Sequence, residues 1–156
     1  MANVGELWWK SVYKSDFNHT IDEKGRVIIP AKFREQLGCG FVITKGLDRC
    51  LWILDAESWN KLEYKLRGMS VLNPVTRKLQ RHFSASAIDG ETDKQGRILL
   101  PPSLRAYAEL DKEVLICGTT NRIEIWNSRL FEESNSGPEE IAAFAEETGL
   151  ATDLSF

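Results

Sequence analysis

The sequence predicts a mainly β, α+β body made of two copies of one unit around a pseudo-twofold axis, and three observations predict it. The stretch Asp22-Glu23-Lys24-Gly25-Arg26-Val27-Ile28-Ile29-Pro30-Ala31-Lys32-Phe33-Arg34 returns as Asp93-Lys94-Gln95-Gly96-Arg97-Ile98-Leu99-Leu100-Pro101-Pro102-Ser103-Leu104-Arg105, at an offset of 71, with five of thirteen positions identical and four more still apolar. The likeness continues at an offset of 72, where Val42-Ile43 matches Val114-Leu115, Gly46 matches Gly118, Leu51 and Ile53 match Ile123 and Ile125, and Trp59 matches Phe131. Within each copy the apolar residues keep strand spacing, and most helical sequence falls in a spacer and a tail. Two copies are too few for a solenoid, so they imply one compact body.

Taken in order, Ser15 to Ile21 alternates as a strand, with Phe17, His19 and Ile21 on one face. Asp22 and Gly25 then suit a tight turn, because an Asp side chain bonds the following backbone and Gly accepts the positive φ of a short hairpin. Val27-Ile28-Ile29 returns as a strand whose unbroken apolarity predicts burial on both faces, at the centre of a barrel or an interface. Pro30 opens a short helix, Ala31 to Leu37, which Gly38 stops. Phe41 to Thr44 and Cys50 to Leu54 form a hairpin around Gly46-Leu47-Asp48-Arg49.

In the spacer, Asp55 or Ser58 can cap a helix from Ala56 to Arg67, and Asn73-Pro74 opens a second that runs to about Phe83. The second copy repeats the plan: strand Ala87 to Thr92, turn, strand Ile98 to Leu100, helix Pro102 to Ala108 and a hairpin from Glu113 to Trp126. Ser134-Asn135-Ser136-Gly137 is a linker, followed by an amphipathic helix from Pro138 to Thr148 with Ile141, Phe144 and Ala145 on one side.

The chain has 156 residues, 42% of them apolar and 28% charged, which suits a soluble globular protein of one domain, or two small ones sharing a core. No secretory signal or membrane span is visible, and cytoplasm is the default expectation. Cys39, Cys50 and Cys117 lie far apart, without disulfide or zinc spacing, and Cys50 and Cys117 read as buried structural thiols.

The net charge of −3 is unevenly spread: seven acidic residues and no Lys or Arg lie between 132 and 156, which leaves residues 1–131 at +4. A basic body with an acidic appendage hints at nucleic acid, although a solvated tail reads the same way. Residues 61–81 carry Lys61, Lys65, Arg67, Arg77, Lys78 and Arg81 against Glu63, a net +5, for which a solvated helix surface is the ordinary explanation and DNA contact the other.

Each turn lifts cations to a hairpin tip, Lys24 and Arg26 in one copy and Lys94 and Arg97 in the other. Such tips can enter a major groove, where Arg bonds guanine and Lys neutralises phosphate. Turn geometry alone explains the repeated Asp, Gly and Pro, but not the repeated Arg, which either contacts DNA or pairs with a carboxylate inside the fold. Catalysis is not indicated. His19 and His82 are the only histidines and lack metal spacing, and no nucleophile elbow, phosphate loop or dinucleotide fingerprint occurs.

Two copies of Asp-x-x-Gly-Arg, each followed by an apolar triplet and Pro, with Asn73-Pro74-Val75-Thr76-Arg77-Lys78-Leu79-Gln80-Arg81 between them, resemble the MraZ family of bacterial transcriptional regulators over residues 15–131. The resemblance implies two AbrB-type (SpoVT-AbrB) swapped-hairpin elements forming one pseudo-twofold β-barrel. The first lies over 15–59 and the second over 86–131, with an N-terminal extension (1–14), a helical spacer (60–85) and an acidic tail (132–156). It implies a cytoplasmic, nucleoid-associated protein that binds promoter DNA of the division and cell-wall gene cluster, often repressing it, and assembles into a ring. Lys24, Arg26 and Arg97 take positions similar to the family's DNA contacts, flanked by Lys32, Arg34, Lys94 and Arg105. No cofactor, metal, membrane or small-molecule substrate is implied. The longer N-terminus with Trp8-Trp9 and the acidic tail depart from the family pattern, and an AbrB-like antitoxin or a protein-binding assembly scaffold is the alternative.

Overall fold

The computed structural model describes residues 12–153, so the Trp8-Trp9 segment lies outside the described residues. The elements are β1 (Asp16–Thr20), β2 (Arg26–Ile28), α1 (Ala31–Leu37), β3 (Phe41–Lys45), β4 (Leu51–Asp55), α2 (Ala56–Arg67) and α3 (Pro74–Gln80), which widens into one π-turn (Arg81–Ala85). They continue with β5 (Ile88–Gly90), β6 (Arg97–Leu99), α4 (Pro102–Tyr107), β7 (Glu113–Thr119), β8 (Arg122–Asn127), α5 (Ser128–Ser134), α6 (Pro138–Glu147) and α7 (Leu150–Asp153).

The predicted α+β class holds. An antiparallel six-stranded sheet in the order β1-β7-β8-β4-β3-β5 faces a two-stranded ribbon, β2-β6. Among the described residues the backbone ladder is open at β1 and β5. The two sheets nevertheless share one core, in which Val27, Ile29, Ile98 and Leu100 under the ribbon join Ile43, Ile53, Ile116, Ile123 and Ile125 of the larger sheet.

The pairing exchanges strands between repeats. First-repeat β1 pairs with second-repeat β7, and second-repeat β5 pairs with first-repeat β3. Equivalent strands meet on the pseudo-axis, β2 on β6 with Val27 opposite Ile98, and β4 on β8 with Trp52 opposite Glu124. Neither copy can fill its sheet alone, which is why the duplication yields one body.

Three expectations are corrected. The Asp22 and Asp93 turns do not close hairpins, because β1 and β2 leave the first turn for different sheets, as do β5 and β6 for the second. Val27-Ile28-Ile29 is not buried on both faces: a two-stranded ribbon covers the core with one face only, so Ile28 is 46% exposed and its counterpart Leu99 59%. Cys117 is only partly buried, whereas Cys50 is fully enclosed and burial pushes its thiol up.

Local chemistry sets the helix ends. Asp55 Oδ1 accepts the Ser58 N–H at 2.8 Å, and Asn73 Oδ1 accepts that of Val75 at 2.9 Å. Asn127 caps α5, a helix that spans the predicted border between the second repeat and the tail, by accepting from Arg129 and Leu130 N–H. Asp55 also accepts from the buried Tyr13 hydroxyl, Oη to Oδ2 2.7 Å. On the pseudo-axis the symmetry fails chemically. Buried Glu124 accepts from Arg122 Nε at 3.0 Å and Trp126 Nε1 at 2.8 Å, while Arg122 stacks on Trp52 at 4.7 Å. A buried carboxylate needs such partners to offset its lost hydration.

Candidate nucleic-acid interface

Each of the two repeated turns is closed by its own aspartate in the same way. In the first, the Gly25 N–H donates to Asp22 O at 3.0 Å, and Asp22 Oδ1 accepts from Lys24 N–H at 3.0 Å and Arg26 N–H at 2.9 Å. In the second, Gly96 donates to Asp93 O at 3.0 Å, and Asp93 Oδ1 accepts from Gln95 and Arg97 N–H, both at 2.9 Å. The bond from the Arg26 N–H lowers the Asp22 carboxyl below its ordinary range, with help from the Arg26 guanidinium and the Lys24 N–H; Arg97 and Gln95 do the same for Asp93.

The second carboxylate oxygen takes the arginine. Arg26 Nε donates to Asp22 Oδ2 at 2.7 Å and Arg97 Nε to Asp93 Oδ2 at 2.7 Å, while Arg97 Nη1 lies 3.9 Å from Asp22 Oδ2. Both arginines therefore pair with acids, as one of the two sequence readings allowed, yet they do so at the surface, with 28% and 25% of their side chains exposed. The pairing fixes the direction of each guanidinium without enclosing it.

Register completes the face. In the β2–β6 ribbon Arg26 stands opposite Leu99 and Ile28 opposite Arg97. Because side chains alternate, Arg26, Ile28, Arg97 and Leu99 form the outer face while Val27 and Ile98 point into the core. The candidate surface is thus one ribbon face with a turn at each end, instead of two separate fingertips. A sequence signal for the clamp exists: Asp and Arg stand four apart, across a Gly, in both copies.

The remaining predicted residues divide. Lys24, Lys32 and Lys94 are exposed and have no ion pair among the described residues. Arg34 and Arg105 are half-buried and cross between repeats. Arg34 Nε donates to Ile29 O at 3.0 Å while its guanidinium lies against Gly96; Arg105 Nε donates to Leu100 O at 2.9 Å while its guanidinium lies against Gly25. A methyl carbon added at Gly96 would stand 2.6 Å from Arg34 Cζ, and one at Gly25 would stand 2.8 Å from Arg105 Cζ. Both glycines also have positive φ, +78° at Gly96 and +84° at Gly25. Arg34 and Arg105 therefore brace the turns from below, a placement that a one-dimensional reading does not reveal.

Among the described residues no group of three or more His, Cys, Asp or Glu is placed to hold a metal ion, and no helix is long and apolar enough to cross a membrane.

Comparison with known proteins bears on the duplication. A family model described as "MraZ protein, putative antitoxin-like" matches residues 13–82 and again 83–151. A protein of Moorella thermoacetica named transcriptional regulator MraZ is 49% identical over 122 residues, covering 78% of this chain and 85% of the relative. Similarly named proteins of Halothermothrix orenii and Carboxydothermus hydrogenoformans are each 45% identical, over 143 and 135 residues, covering 89% and 86% of this chain and 100% and 93% of the relatives.

Proposed function

The chain belongs to the MraZ family, and from that premise we propose that it is a sequence-specific, DNA-binding transcriptional regulator without catalysis or cofactor. The observation that carries this reading is the ribbon face, where two arginines aimed by their own aspartates flank Ile28 and Leu99. A two-stranded antiparallel ribbon is one of the shapes a B-DNA major groove admits. Arg26 and Arg97, held through Nε, offer their remaining donors to guanine O6 and N7, and Ile28 and Leu99 offer apolar contact to thymine methyl groups. Lys24, Lys32 and Lys94 neutralise phosphate and set affinity. Arg34 and Arg105 serve chiefly to hold the turns that carry these groups.

So few cations per protomer bind weakly, because nonspecific affinity follows the number of phosphates neutralised. A ring of protomers multiplies the contacts and presents equivalent faces at regular intervals. The operator is then a set of direct repeats about 10 base pairs apart, upstream of the division and cell-wall gene cluster, with repression as the usual outcome and the nucleoid as the place of action. The second reading, an antitoxin-like or scaffold protein, is favoured by the uncovered apolar face of the acidic tail.

Fluorescence anisotropy with duplexes carrying one or several repeats, across a salt series, separates these readings. Steep weakening with salt and much tighter binding of several repeats support multivalent DNA recognition. Equal binding of one and several repeats refutes multivalency, and no binding at any salt refutes the DNA reading.

A further inference from the structure

Outside the ribbon, two cations meet on one aromatic ring. Lys45 Nζ stands 5.1 Å and Arg49 Cζ 5.2 Å from the centroid of the Tyr107 ring. The two cations flank the turn between β3 and β4, and Tyr107 is the last residue of α4. The ring is pinned to that turn, because its hydroxyl donates to Gly46 O at 2.7 Å and to Asp48 O at 3.0 Å. The His82 ring bonds the same Gly46 carbonyl at 2.7 Å and meets Tyr107 edge to face at 5.7 Å. Gly46 has no room for a side chain, since an added methyl carbon would stand 2.6 Å from Trp52 Nε1.

These cations lack counter-charges. Among the described residues neither Lys45 nor Arg49 makes an ion pair, and their one polar bond runs from Arg49 Nη1 to Tyr107 O at 3.5 Å. Asp48, the acid of the turn, is exposed and its carboxylate bonds neither of them. Arg81, next to His82, is exposed and also without an ion pair. Attraction to an aromatic face explains one cation. It does not explain two on one ring, which repel each other and leave most of an ammonium's three and a guanidinium's five donors without an acceptor in the protein. The turn does not require them either. At the matching positions the other repeat has Cys117 for Lys45, Asn121 for Arg49 and Gln36 for Tyr107, with Gln36 donating to Val12 O at 2.8 Å.

We infer that Lys45 and Arg49 bind a phosphate group at this turn, Arg49 through paired donors and Lys45 as a point charge, with the Tyr107 ring keeping both within reach of it. A phosphate group carries close to two negative charges at neutral pH, which matches the two cations. Helix α4 sets where the site lies: Tyr107 stands two residues after Arg105, whose guanidinium lies against Gly25. The site is therefore one short helix from the first reading turn, and it has no counterpart beside the second. A duplex backbone leaving the ribbon is one source of the phosphate, and it would give a pseudo-twofold body a direction along its operator. A free phosphorylated molecule is the other source, and in that case the inference stands without the DNA reading.

Calorimetric titration of the full chain with inorganic pyrophosphate tests the site. Lys45→Gln/Arg49→Gln weakens binding about tenfold or more, because both charges are gone. Lys45→Arg, which keeps the charge, binds as the wild type does, and so does Lys24→Gln/Lys94→Gln, whose changes lie on the reading turns. A salt series with a single-repeat duplex then separates the sources. A backbone phosphate predicts that Lys45→Gln/Arg49→Gln lowers the salt slope by about one to two per protomer, whereas a free ligand leaves that slope unchanged. The inference falls if Lys45→Gln/Arg49→Gln matches the wild type in both pyrophosphate affinity and duplex slope. It falls equally if Lys24→Gln/Lys94→Gln alone abolishes pyrophosphate binding, which puts the anion on the turns. A wild type that binds pyrophosphate through Lys45 and Arg49 but binds no duplex upholds the site and refutes the DNA reading, so the two failures are read separately.

Discussion

Substituting Gly96 by Ala tests whether the two repeats are locked through their turns. Alanine at φ +78° costs about 1–2 kcal/mol from backbone conformation alone. Its methyl would stand 2.6 Å from Arg34 Cζ, so the guanidinium must move and give up its 3.0 Å bond to the Ile29 carbonyl. A hydrogen bond from a charged group contributes about 1.5–3 kcal/mol when buried, and the half-buried site takes the lower end. The total is about 2.5–4 kcal/mol, a Tm loss of roughly 5–15 °C for a chain of this size. In an Arg34→Ala background only the conformational part remains. A double-mutant cycle by urea denaturation should therefore give a coupling of about 1.5 kcal/mol between positions 34 and 96. A coupling below about 0.5 kcal/mol would refute the lock, and with it the assignment of Arg34 to turn support.

Other outcomes follow from the same contacts. Tyr13→Phe removes the donor to Asp55 Oδ2 and destabilises by about 1–2 kcal/mol in chemical denaturation. Burial and Asp55 raise the Tyr13 hydroxyl above its ordinary value, so its contribution is complete below about pH 10 and fades as pH rises beyond; the variant lacks that alkaline loss. Asp22 and Asp93 are lowered, so their contribution is complete above about pH 4 and is lost as pH falls below it; Asp22→Asn/Asp93→Asn flattens that acid limb and leaves the alkaline one intact. Arg26→Ala and Arg97→Ala each weaken DNA binding by about 1–3 kcal/mol and relax sequence preference, whereas Lys24→Ala/Lys94→Ala weakens all sequences alike and lowers the salt slope by about two per protomer. If the arginine variants lose stability but keep full affinity and preference, the arginines are turn residues only.

Much of this molecule could be read without coordinates because the relevant forces act over a few residues. Asp and Gly closing a turn, Asn73 opening a helix before Pro74, and the apolar triplets of β2 and β6 are local preferences, and the offset of 71 exposes the duplication directly. The surface position of Lys24, Arg26, Lys94 and Arg97 was also legible, since they sit in or beside a turn whose Asp and Gly fix its shape. Strand partnership was not legible, because pairing β1 with β7 joins residues nearly a hundred positions apart, and no local signal distinguishes that from a hairpin with β2. The same limit hid three further features: the open face of Ile28 and Leu99, the guanidinium of Arg34 under Gly96, and the Glu124–Arg122–Trp126 cluster on the pseudo-axis. Each depends on which surfaces the exchange of strands leaves covered, and burial is a property of the assembled layers, not of any one segment.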